Sequence, residues 1–157
     1  MDTLVIDGRR FEITRADAAD LPDLVSLLTD DTIGATRETD DLAPYRRAFA
    51  TIDGDPHQLL VAVRDEHAAL VGTMQLTLIP GLARGGVTRL QIEAVRLAAE
   101  VRGAGLGRAL LDWAHAYGRE HGAGLAQLTS DQRRVDAHRF YEQAGYVASH
   151  RGFKRAL

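Results

Sequence analysis

Three observations predict a mixed α/β fold in a single domain. Stretches that alternate every second residue are interleaved with stretches of helical spacing. Gly, Pro and Asp punctuate the joints between them. The chain has 157 residues and is 45% apolar, enough for a core without disulfides. There is no repeat, low-complexity tract or linker, so one domain over residues 1–157 is expected.

The alternation in "RRFEITRA", Arg9 to Ala16, predicts the first strand. Asp20 is the expected N-cap of the helix that follows, with Pro22 and Asp23 in its first turn. Leu21, Leu24, Val25 and Leu28 recur at helical spacing there. After the polar run 29–41 a short helix is expected over Leu42–Ile52, and "DGDP" reads as a loop. Residues 57–81 predict two strands joined by a turn near Asp65–His67. Gly81–Gly86 is a loop, and "VTRLQIEAVRL" (87–97) is a strand. Leu106, Leu110, Trp113 and Tyr117 then mark one face of a helix that Gly122 stops, and both aromatics read as core. "LAQLTS" predicts a short strand, "RVDAHRFYEQAG" a helix ending at Gly145, and "YVASH" and "FKRAL" two final strands.

Composition removes several classes of function. The absence of cysteine excludes disulfides, thiolate chemistry and cysteine-bound metal. The six histidines lack ligand spacing, so no metal is expected. No apolar run has membrane-spanning length and no signal pattern opens the chain, so a soluble cytoplasmic protein is expected, with no membrane partner. The net charge of −3 is uneven: residues 1–80 carry −8 and residues 81–157 carry +5. No basic block is dense enough for nucleic acid.

The basic half holds "VRGAGLGRALL", Val101 to Leu111. A dinucleotide fingerprint would need glycine at Arg108 or Leu110, and a nucleoside-triphosphate loop would need a lysine, yet the chain's one lysine is Lys154. What remains is Arg102-Gly103-Ala104-Gly105-Leu106-Gly107 between a strand and a helix. Bare backbone and the free N–H groups of a helix start suit a pyrophosphate, and Arg102 and Arg108 add charge. The competing reading is a tight strand-to-helix turn and nothing more.

The loop resembles the acetyl-CoA motif of the GNAT acyltransferase superfamily, Arg/Gln-x-x-Gly-x-Gly/Ala. "QIEAVRLAAEVRG" resembles that family's fourth strand and "DAHRFYEQAGY" its C-terminal motif. The C-terminal stretch is also similar to aminoalkylphosphonate N-acetyltransferases. The resemblance implies a mixed, mostly antiparallel sheet with a splayed central parallel pair, "QIEAVRL" and "LAQLTS", and flanking helices. It implies acetyl-CoA as co-substrate, its pyrophosphate on the N–H groups of residues 103 to 108. The pantetheine arm would pair with Val95 and Leu97, and Asp131, Ala137 and Tyr141 would complete the cofactor site. Asp131 departs from the family's frequent asparagine, and an ionised carboxylate only accepts hydrogen bonds. The C-terminal segment would be a strand edge for a homodimer.

Amine acetylation needs a neutral amine and a proton for the departing thiolate. Strand alternation puts Arg89, Gln91, Glu93, Val95 and Leu97 on one face, which makes Glu93 the candidate base and Gln91 a candidate acceptor contact. A surface pair with Arg89 or Arg96 is the bland alternative for Glu93. The resemblance makes Tyr141 the candidate acid, and His138 reads as structural. The resemblance also puts the acceptor wall at 30–41 and 81–88. Asp30, Asp31, Glu38, Asp40 and Asp41 would attract a cationic amine; Arg37, Arg84 and Arg89 would bind an anionic group on the acceptor. The expected activity is acetyl transfer to a small-molecule primary amine. A protein N-terminal or lysine acetyltransferase and a non-catalytic acyl-CoA sensor are the alternatives.

Overall fold

The computed structural model describes residues 2–30 and 36–157. Their contacts form two compact units, Met1–Gln127 and Leu128–Leu157. The first unit is built on a sheet in the order β1-β2-β3-β4-β5-β6. The strands are β1 (Asp2–Ile6), β2 (Arg9–Arg15), β3 (Gln58–Arg64), β4 (Leu70–Ile79), β5 (Thr88–Leu97) and β6 (Ala123–Leu128). The pairs from β1 to β5 are antiparallel. β6 follows β5 through a helix, the crossover that a parallel neighbour requires, so the sheet is mixed.

The helices are α1 (Leu21–Thr29), α2 (Ala43–Asp53), the single turn α3 (Ala83–Gly86), α4 (Leu106–Glu120) and α5 (Val135–Gln143). Leu21 and Leu24 of α1 and Phe49 of α2 bury against Ala16 and Ala62 on one face of the sheet. On the other face α4 buries Leu106, Leu110, Leu111 and Ala114, and Gly118 lies so close to Leu90 that a Cβ would sit 2.9 Å from its side chain. Among the described residues no helix is long and apolar enough to cross a membrane, and no group of three or more His, Asp or Glu is placed to hold a metal.

Several local features depart from the sequence reading. β1 was not anticipated: Asp7 and Gly8 both take positive φ (49° and 80°), the two-residue hairpin turn whose twist suits paired strands. Asp20 precedes α1, but its carboxylate makes no bond to that helix. It closes the preceding turn, accepting from the Asp17 N–H at 3.0 Å, and pairs with Arg64 while only 6% exposed. Trp113 and Tyr117 are half-buried rather than core. They stack at 5.8 Å along the margin of α4, and the Trp113 indole donates to Asp2 at 2.9 Å. The loop 81–86 contains α3, where Arg84 and Gly85 are left-handed.

The second unit contains α5 and ends in coil. "YVASH" and "FKRAL" are not strands: residues 146–157 join no ladder, and their backbone bonds are local, Tyr146 N–H to Tyr141 C=O at 3.0 Å and Ser149 N–H to Val147 C=O at 2.8 Å. A segment forms a strand only where another edge satisfies its backbone.

Candidate active site

The register of β4 and β5 breaks at one place. Thr73 pairs with Arg96 and Gln75 with Glu93, so Met74 opposes both Ala94 and Val95. Ala94 sits at φ 51°, which makes this a β-bulge with a left-handed alanine in it. The extra residue shifts the alternation. Arg89, Gln91 and Glu93 share a face, but beyond the bulge that face continues with Arg96. Leu97 turns to the opposite face, over Gly72. Val95 and Leu97 therefore do not line up with Glu93 as simple alternation expects.

Glu93 is exposed and takes part in none of the ion pairs among the described residues. Its face is the one that α1 and α2 cover over β3 and β4. Beside it lies a ribbon of half-buried amides on four strands. Gln75 donates to Gln58 at 2.7 Å, Thr77 Oγ1 donates to the same oxygen at 3.4 Å, and Gln127 donates to Gln91 at 2.6 Å. Gln91 appeared in the sequence reading; Gln58, Gln75, Thr77 and Gln127 did not.

At the end of β5, Gly103 and Gly105 take φ of 80° and 83°, and Gly105 is the N-cap of α4. Among the described residues a Cβ on Gly103 would meet nothing within 4 Å, so the backbone there has open space beside it. This fits a ligand held against bare main chain. The flanking arginines have partners within the chain. Arg102 donates through Nε to the Leu97 carbonyl (2.8 Å) and pairs with Asp30 at 2.9 Å; Arg108 pairs with Asp112 one turn on, at 3.1 Å. Both pairs are about half exposed, so an anion competes with them at modest cost.

The acidic acceptor wall is largely occupied. Asp30 holds Arg102, Glu38 accepts from the Tyr45 hydroxyl at 2.6 Å, and Asp41 caps the Ala43 N–H at 2.9 Å. The Glu38 bond also raises the Tyr45 pKa. Asp31 lies outside the described residues; Asp40 and Arg37 are exposed.

In the second unit Asp131 accepts two bonds from the Arg133 guanidinium (2.9 Å each) and one from its N–H (3.0 Å), which raises the Arg133 pKa. His138 Nε2 lies 2.9 Å from the Asp131 carbonyl, a structural tie. Ala137 is half-buried on α5. Tyr141 is half-buried too, with its ring against Phe140 (5.3 Å) and Tyr146 (6.0 Å). Burial, reinforced by Tyr141, pushes Tyr146 up to about 12.

The chain matches the Acetyltransferase (GNAT) family over residues 21–146. It belongs to that family. GNAT proteins use acetyl-CoA as co-substrate. Among curated proteins the chain is similar to an aminoalkylphosphonate N-acetyltransferase of Salmonella typhimurium, 40% identical over 67 residues. That match spans 43% of this chain and 44% of the relative, so it covers less than half of the relative's length. Among solved structures it is similar to a transcriptional regulator from Bacillus halodurans C-125, with 39% identity, 94% of this chain and 99% of that chain covered, and a TM-score of 0.89. An acetyltransferase of Trypanosoma brucei is 25% identical over 94% of this GNAT chain and 99% of its own, with a TM-score of 0.75.

Proposed function

We propose that the protein acts as a single-domain N-acetyltransferase, moving acetyl from acetyl-CoA to the primary amine of a small molecule by direct transfer. The glycine loop carries this reading: two left-handed glycines at a helix start, one of them with open space beside it among the described residues, leave bare main chain for an anion to approach. Backbone N–H groups of Gly103, Ala104, Gly105, Leu106, Gly107 and Arg108 hold the pyrophosphate, and Arg102 exchanges Asp30 for it. The backbone of Val95 and Leu97 takes the pantetheine arm, and Ala137 and Asp131 belong to the same cofactor contact set. The co-substrate supplies an activated acetyl thioester.

On the protein side, Glu93 takes a proton from the ammonium of the acceptor, directly or through water. Its exposure and its lack of an ion pair among the described residues leave the carboxylate available for this. Gln91 orients the acceptor beside it. Tyr141 is the proton donor for the departing thiolate, on the strength of "HRFYEQAGY". Binding and turnover test the two halves separately. Calorimetric titration with acetyl-CoA should give saturable one-to-one binding, and Glu93→Gln should keep that affinity while lowering turnover by about a hundredfold. Absence of acetyl-CoA binding overturns the reading.

A further inference from the structure

The amide ribbon beside Glu93 has a direction, and that direction selects a class of acceptor. A carboxylate only accepts, whereas an amide donates at nitrogen and accepts at oxygen. Asp55 stands at the outer end of the ribbon. Its Oδ1 accepts the His57 N–H at 2.8 Å, which lowers its pKa, and its Oδ2 accepts from Gln58 Nε2 at 3.4 Å. An ionised Asp55 forces the Gln58 nitrogen outward and its oxygen inward. That oxygen receives Gln75 Nε2 at 2.7 Å. Gln75 must therefore turn its own oxygen away from Gln58. Gln75 is the cross-strand partner of Glu93, on the same face. Two acceptor groups, an amide oxygen and a carboxylate, thus stand side by side.

Two residues further along β5 the polarity reverses. Gln91 gives its oxygen to Gln127 at 2.6 Å, which leaves its two N–H groups as donors. Arg89 follows on the same face, paired with Ile79 in the ladder. Glu93 and Arg89 are four residues apart, about 14 Å along the strand at 3.4 Å per residue. An arginine side chain extended along the strand toward Glu93 would narrow that to the length of a few atoms. Arg96, on the far side of the bulge, turns back on the Val95 carbonyl at 2.8 Å.

We propose that the acceptor is a short zwitterion, its ammonium bound by Glu93 and Gln75 and its anionic end by Gln91 and Arg89. Asp55 and Gln58 are positioning residues that keep the Gln75 oxygen facing the ammonium. The inference rests on the acetyltransferase reading above and deepens it.

The test measures CoA release by purified protein with amines of similar length: 2-aminoethylphosphonate and 3-aminopropanoate, neutral propylamine, and 1,3-diaminopropane. Acetyl-CoA binding is titrated in parallel. The expected result is a kcat/KM about tenfold or more higher for the two anionic amines, an advantage that Arg89→Met and Gln91→Leu each reduce. Equal or better turnover of propylamine or the diamine overturns the zwitterion and leaves the acetyltransferase reading intact. Failure of acetyl-CoA binding together with failure of every amine overturns both.

A second arm tests the direction of the ribbon. In Asp55→Asn the new oxygen keeps the His57 N–H, so the new amide nitrogen faces Gln58 and reverses Gln58 and Gln75 in turn. Amine KM should rise about tenfold with acetyl-CoA KM unchanged. Adding Gln58→Glu restores an acceptor to both neighbours and should restore the amine KM. An unchanged amine KM in Asp55→Asn, or no recovery in the double variant, overturns the directed ribbon.

Discussion

Gly103 and Gly122 form a matched pair that separates a ligand cradle from a turn. Both are left-handed, with φ of 80° and 78°, and at both an added Cβ meets nothing within 4 Å among the described residues. Gly103 lies in the loop before α4 and Gly122 just after that helix. Alanine at either position adds no clash and should cost only the left-handed backbone penalty, about 1–2 kcal/mol. In a chain of this size that lowers Tm by roughly 2–8 °C. The two variants should therefore unfold alike. Their ligand binding should differ. In the proposed cradle, a Cβ on Gly103 would project into the space where bare backbone meets pyrophosphate. Loss of one charge-assisted backbone bond, about 1.5–3 kcal/mol, weakens acetyl-CoA binding about ten- to hundredfold. Calorimetric titration of Gly103→Ala and Gly122→Ala beside the parent reads this directly, with thermal unfolding as the control. Equal acetyl-CoA affinity in the two variants would refute the cradle and return the loop to a structural turn.

The left-handed Ala94 in the bulge should be relieved by glycine: Ala94→Gly should leave stability unchanged or raise it by up to about 1 kcal/mol, whereas Ala94→Val should lose at least about 1 kcal/mol in denaturant titration. Burial holds the His115 imidazole below its ordinary 6.5, opposed in part by Asp112. Because the folded state resists protonating it, that part of the stability is complete above pH 6.5 and is lost as pH falls through and below that value. Tm should therefore drop between pH 7 and pH 5, and His115→Gln should flatten the drop; an identical profile in the variant would show that other groups cause it. Tyr141→Phe should lower turnover about a hundredfold at unchanged acetyl-CoA affinity, and unchanged turnover would remove Tyr141 as the proton donor.

The elements that local chemistry specifies were the legible ones. α1, α2 and α4 follow apolar spacing, and the turn at 65–69 follows its polar residues. The glycine loop was readable because positive φ falls on glycine. β1 carries a signal of its own, since Asp7-Gly8 between alternating residues is a hairpin turn. The bulge has none: Ala94 carries no mark of a left-handed backbone, so in sequence alone the alternation runs through it to Val95 and Leu97. The two C-terminal segments show the converse error. They read as short strands, but strand formation depends on a partner edge that local sequence does not contain.

The candidate site divides along the same line. Glu93, Gln91 and the glycines lie within one segment and could be picked out together. Gln58, Gln75 and Gln127 join them only through the ladder register, and their bonds span 17 and 36 residues. The partners of the acidic wall are hidden from local sequence for a related reason. Asp30 reaches an arginine 72 residues away and Glu38 a tyrosine on the next helix, so charges that looked available are engaged.

The most direct test of acetyl transfer is to incubate the purified protein with acetyl-CoA and the amine panel, and to follow free CoA and acetylated product together by mass spectrometry. Transfer requires one N-acetylated amine for each CoA released, with both falling about a hundredfold in Glu93→Gln. CoA release at the same rate without an amine, or saturable acetyl-CoA binding with no acetylated product from any amine or peptide, would contradict it.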